Sequence, residues 1–243
     1  HMRKESFISI IILIALWQIA AITVHNDVLI PDVVLVCRNL ANIITDPASY
    51  TAVFMTLWRV SKGFALSLIT SLVIAVAAAE FPVVRHMFEP LNVLTKSVPN
   101  ISYLILCLIW LGSEGSVTAV SFFILFPVCY NQLIVDITDF RNSFKDVLAM
   151  YPEKRSTLIT KLYLPELKKP CLHLCKTGLS LGFKVGVMAE ILGQVKGGIG
   201  RYLYYAKLNL DTGNLFAWTL VIIFMCTLID KCFDMIIRYT EKH

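Results

Sequence analysis

Charge is what this sequence lacks most. Asp, Glu, Lys and Arg supply 16% of its 243 residues and apolar types 57%, where a soluble domain has about 25% and roughly 45–50%. Mean hydropathy is +0.70. A soluble chain of this length can bury a core, but it cannot hide this much apolar surface from water. The composition therefore excludes a soluble domain and predicts an all-α integral membrane protein, in which lipid solvates the remainder.

Other absences narrow the function. There is no Gly-x-x-x-x-Gly-Lys-Ser/Thr phosphate loop, so this chain is not expected to burn ATP itself. None of the seven cysteines forms a Cys-x-x-Cys pair with matching His ligands, which argues against zinc. Cys171, His173 and Cys175 resemble a ligand set, but on a helix His173 points about 200° away from Cys171. The five histidines are scattered, mostly near ends or loops, and leave a membrane-embedded enzyme little to build on. The net charge of +5 is spread through loops rather than clustered on one polar face, so no nucleic acid is expected as a partner.

A spanning helix needs roughly 20 mainly apolar residues, and about six such segments are present in a single domain, 1–243. They are expected at 7–24, 57–79, 91–111, 117–137, 172–192 and 215–237. The third is interrupted by Lys96 and Pro99, the fourth contains Pro127, and the fifth carries Lys176, Lys184 and Glu190. No small-residue cleavage site follows the first, so it is expected to be retained. Between the first two segments, Val33–Val36, Leu40 and Ile43-Ile44 have the spacing of an amphipathic surface helix closed by Asp46-Pro47.

Lys and Arg counts set the orientation. With the N-terminus in the cytoplasm, thirteen basic residues fall on the cytoplasmic side and six on the other. Both termini are therefore expected inside, as is the link 138–171. In that link, Asp139 can cap a helix. Val147, Leu148, Tyr151, Leu158, Ile159, Leu162 and Tyr163 then give helical apolar spacing, interrupted by Pro152. Leu164-Pro165 is expected to end the run, and Pro170 to precede the next span. Two short helices with a break between them, lying on the cytoplasmic face, are predicted.

These residues resemble the permease subunits of bacterial ABC importers. Their cytoplasmic loop has the pattern Glu-Ala-Ala, three residues, Gly, then Leu-Pro. Here Asp146-Val147-Leu148 falls on the triplet, Ala149 just past it, Pro152 on the Gly and Leu164-Pro165 on the Leu-Pro. Further matches run in order along the chain: Arg59-Val60 with Gly63-Phe64, Pro99 with Trp110-Leu111-Gly112, Phe126-Pro127 with Asn131, Gly178 to Gly182, Ala189-Glu190 and Gly198-Ile199-Gly200. The branch most similar is that of the nitrate, sulfonate, taurine and thiamine-precursor permeases.

The resemblance implies a type I importer permease fold in the bacterial plasma membrane, with a coupling helix between helices 4 and 5. It implies ATP-binding cassette ATPase subunits, an extracytoplasmic solute-binding protein, a permease homodimer and surrounding lipid as partners. No cofactor is expected on this chain, since the partner ATPase uses the ATP. The cargo would be a small polar or anionic solute. Asp146, Val147, Leu148, Ala149, Pro152, Leu164 and Pro165 would couple to the ATPase, with Asp146 as orienting charge in the first turns of its helix and Pro152 as the break.

Intramembrane polar residues are costly and face protein or water. Lys184, Asn100, Asn131 and Ser102 are candidates for the translocation path, or for interhelical bonds and snorkelling. Lys184 and Glu190, about 240° apart around one helix, cannot pair and each needs a partner elsewhere. Glu190 is expected opposite the Gly197–Gly200 turn, and Lys176 is expected to snorkel. Gly178 and Gly182 permit close helix approach, within the chain or between copies. A stand-alone secondary transporter or channel is the alternative, but the internal repeat it would favour is not evident.

Overall fold

A computed structural model describes residues 2–144, 150 and 157–241, without the side chains of 2–7, 91–96, 162 and 241. The described residues are helical apart from short connections, with no strand among them. In chain order the helices are α1 (Met2–Val24), α2 (Val33–Thr45), α3 (Pro47–Glu80), α4 (Pro82–Ser97), α5 (Asn100–Ser143), α6 (Lys168–Gly193), α7 (Ile199–Leu208) and α8 (Thr212–Glu241). A π-helical stretch, Leu158–Tyr163, and one turn, Leu164–Glu166, lead into α6.

Local chemistry explains the boundaries. In α2, Val36 and Ile43 are buried and Leu40 half-buried, which is the expected one-sided spacing. The helix stops at Asp46, whose side chain accepts a hydrogen bond from Ala48 N at 3.0 Å and starts α3, with Pro47 in its first turn. α3 and the Gly112-kinked α5 are both long and apolar enough to cross a membrane.

The core lies where α3, α5 and α6 meet, and small residues bring them close. A Cβ on Gly63 of α3 would stand 2.5 Å from Thr118 O of α5. Gly178, Gly182 and Gly186 form a stripe on α6, four residues apart. Side chains there would collide with Phe64 and Val60 of α3 and with Leu125 of α5. Gly178 and Gly182 thus pack within the chain, and Gly186 extends a stripe that the sequence reading had stopped one turn short.

The exterior is apolar. Ile10 to Ile14 on α1, Phe54, Trp58, Ile69 and Val73 on α3, and Ile223 and Phe224 on α8 are exposed. Patches of this extent are rare on soluble monomers. α1 has apolar residues all around it and is held mainly through its second half. There Trp17 Nε1 donates to Pro31 O at 3.1 Å, Gln18 Oε1 accepts from Val33 N at 3.2 Å, and Trp17 stacks on Phe216 at 5.2 Å.

Three sequence expectations need correction. The segment 91–111 is two helices: α4 ends at Ser97 and α5 begins at Asn100, because Pro99 lacks an N–H and disfavours helical dihedrals at Val98. A second interruption follows at Gly112, whose φ of 68° and ψ of −176° suit only a residue without Cβ. Asp139 caps nothing, since α5 runs past it to Ser143 and Ser143 Oγ donates to its carbonyl at 2.9 Å. Leu164-Pro165 does not stop the chain's helical course either. Leu167 N reaches Tyr163 O and Cys171 N reaches Leu167 O, both at 2.9 Å. Pro170 sits in the first turn of α6, where its missing donor has no intrahelical partner to lose.

Candidate functional site

Two polar clusters interrupt the apolar bundle, and α3 contributes side chains to both. Arg59 and Glu80 are 21 residues apart on it, which is about 31 Å along a helix. That is close to the roughly 30 Å hydrocarbon thickness of a bilayer.

The Arg59 cluster is built around a fully buried carboxylate. Glu190 of α6 has 0% exposure. Its Oε1 accepts from Arg59 Nη1 at 2.8 Å, and its Oε2 accepts from Thr56 Oγ1 at 2.8 Å and from Gly200 N at 3.0 Å. Thr56 Oγ1 in turn accepts from Ile199 N at 2.9 Å. Arg59 also donates to Gly197 O at 3.1 Å and Lys196 O at 3.2 Å. Its Nη2 meets Glu114 Oε2 at 2.7 Å, and Glu114 Oε1 accepts from Lys196 N at 3.2 Å. Glu114, next to the Gly112 break, has a side chain 59% exposed.

A buried ion pair needs further hydrogen bonds to offset its desolvation, and here both carboxylate oxygens and both terminal guanidinium nitrogens have partners. The turn between α6 and α7 supplies half of the partners. Gly198 adopts φ 98°, and a Cβ there would fall on the Glu190 carboxyl group. Glycine is therefore required by the backbone conformation and by the close approach. Four side chains from α3, α5 and α6 thus hold one turn.

The second cluster sits where the 138–171 link rejoins the bundle. Glu80, the last residue of α3, is buried, and its Oε1 accepts from Tyr163 Oη at 2.8 Å. Tyr163 is 1% exposed. Burial, and after it the bond to Glu80, pushes its phenol up to about 12. Arg141, near the end of α5, donates to Ala79 O at 2.7 Å and stands 3.9 Å from Glu80 Oε1. A cavity of about 260 Å3 opens beside Tyr163 between Asp136, Asp139 and Glu166. Lys176 of α6 pairs with Asp234 of α8 at 2.6 Å.

The sequence candidates fall as follows. Asp146, Val147, Leu148, Ala149 and Pro152 lie outside the described residues. Leu164 and Pro165 are exposed on the turn before α6. Lys184 is exposed on α6, Asn100 is exposed at the start of α5, and Ser102 and Asn131 are half-buried in α5. Glu190 does face the Gly197–Gly200 turn. Sequence reasoning left Thr56, Arg59 and Glu114 unconnected to it. The available signal was a pair of opposite charges, Arg59 and Glu190, near the edges of two apolar segments, with Lys62, Lys176 and Lys184 as competing cations. Nothing in the sequence pointed from Tyr163 to Glu80.

No family model matches the chain. A protein of Methanocaldococcus jannaschii, provisionally named an ABC transporter permease protein, is 22% identical over 234 residues. The match covers 94% of this chain and 86% of that protein.

Proposed function

We propose that this chain is the membrane-spanning permease subunit of an ATP-driven importer. The observation that carries the reading is a convergence. Arg59, Glu190 and Gly198 to Gly200 belong to three separate segments matching the permease pattern, and they meet in one buried network. The similarity to the archaeal protein spans nearly the whole chain and supports a permease role and membrane residence. The exposed apolar exterior and the lengths of α3 and α5 support the same residence.

In the finer reading the chain crosses the membrane six times with both ends in the cytoplasm, and two copies form the path for a small polar or anionic solute. An extracytoplasmic binding protein delivers the solute, and separate ATPase subunits dock on the 138–171 link. α4 and the first part of α5 together make the third crossing, broken at Pro99. Asp146 orients the docked helix. Displacement of the link reaches α3 and α5 through Tyr163, Glu80 and Arg141, the described contacts nearest to it. Leu164 and Pro165, exposed beside this node, remain available to the ATPase.

Co-purification with a phosphate-loop ATPase encoded beside this chain is the first test. Asp146→Arg should then abolish ATP-driven uptake while leaving the amount of folded chain in the membrane unchanged. Unaltered uptake by that variant would count against the docking role, and transport by the chain alone in liposomes would favour a secondary transporter.

A further inference from the structure

Where α2 crosses α3 and α8, two cavities share a wall. One is an apolar groove of about 530 Å3, lined mainly by side chains such as Leu40, Ile44, Val53, Leu57, Leu220 and Phe224. The other, about 390 Å3, is polar and takes Asn42 and Asp46 from one side, and Asn209, Asp211 and Asn214 from the other. Ile43 and Ser49 line both. Tyr50 Oη donates to Ile44 O at 2.6 Å and pins the end of α2 beside the groove.

The charge is one-sided. Asp46 and Asp211 line the polar cavity and no Lys, Arg or His does, in a chain of net charge +5. Both carboxylates hold local turns: Asp46 accepts from Ala48 N at 3.0 Å, and Asp211 accepts from Asn214 N at 3.0 Å and from Asn214 Nδ2 at 2.6 Å. Those bonds leave each carboxylate with lone pairs for a further donor. Tyr202 and Trp218, stacked on each other at 4.7 Å, form part of the cavity wall.

From this juxtaposition we infer that the two cavities bind one membrane lipid, its acyl chain in the groove and its ammonium headgroup between Asp46 and Asp211. The groove lies on an exterior that is itself apolar, so hydrocarbon is the solvent that meets it. Its volume falls in the range of about 300–1,000 Å3 typical of built small-molecule sites. The paired carboxylates favour an amine-bearing headgroup and repel an anionic one. The inference requires membrane residence but not the importer reading, so either can fail without the other.

The test uses the full chain in nanodiscs of equal parts phosphatidylethanolamine and phosphatidylglycerol, released and weighed by native mass spectrometry. Phosphatidylethanolamine should be retained about fivefold over phosphatidylglycerol, the scale of a partly exposed charge contact. Val53→Trp, which fills the groove, should abolish retention. Leu220→Trp does so from α8 if Val53→Trp disturbs folding. The Asp46→Asn/Asp211→Asn variant keeps both turn acceptors and should still retain lipid, with the preference gone. Equal retention of the two lipids by the unaltered chain would overturn the inference. So would undiminished retention in both tryptophan variants, or a lipid-free dimer that those variants dissociate.

Discussion

The two ends of α3 are held in opposite styles. At Arg59 a buried carboxylate, a guanidinium, a hydroxyl and two backbone N–H groups bond to one another across α3, α6 and the following turn, with Glu114 of α5 added at the rim. At Glu80 a phenol bond from Tyr163 reaches the link and an ion pair with Arg141, at 3.9 Å, reaches α5. The first end is over-determined, so no single element can shift without stranding a buried charge. The second is the end that receives the link, through Tyr163.

Substitutions should reproduce that ranking. Arg59→Ala leaves Glu190 buried without its cation and should cost about 3–5 kcal/mol, read as loss of thermal stability in detergent. Arg59→Met/Glu190→Met should recover only part of this, because the buried Gly200 N–H would remain without its acceptor. Full recovery would show that the end near Arg59 is less interlocked than described. Gly198→Ala should cost about 1–3 kcal/mol for its left-handed dihedral alone, with the collision against Glu190 added.

At the other end the effects shrink. Tyr163→Phe removes one bond to a carboxylate and should cost about 1.5 kcal/mol, while lowering ATP-driven uptake more than Gly198→Ala does at equal stability. A larger stability loss than that of Arg59→Ala would invert the comparison. The smallest effect concerns pH. The folded chain holds the Tyr163 proton more tightly than an unfolded phenol of pKa about 10, so unfolding releases that proton. The stability this group contributes is complete below about pH 10 and falls as pH rises toward about 12. Tyr163→Phe should lack that fall in an alkaline melting series.

The helices were legible because long apolar runs and the 36-40-43 spacing of α2 have one physical explanation each. Prolines were read less well, since the same residue does different things by position. Pro99 separates two helices, Pro127 is carried inside α5 beside Phe126 O, which accepts from Ser71 Oγ at 2.9 Å, and Pro170 sits in a first turn. Only tertiary context separates these cases. The buried network was half legible: Glu190 evidently needed a partner, but which cation reached it depended on how α3 packs on α6. The Gly178–Gly182 pair was visible as spacing, whereas its target, Phe64, Val60 and Leu125 of the same chain, was not.

The measurement closest to the central claim is solute uptake into proteoliposomes holding this chain with a phosphate-loop ATPase that co-purifies with it and a solute-binding protein. Uptake that requires all three and ATP, and that stops with Asp146→Arg, is the predicted result. Uptake by this chain without ATPase, driven by an ion gradient or by the solute gradient alone, would contradict it.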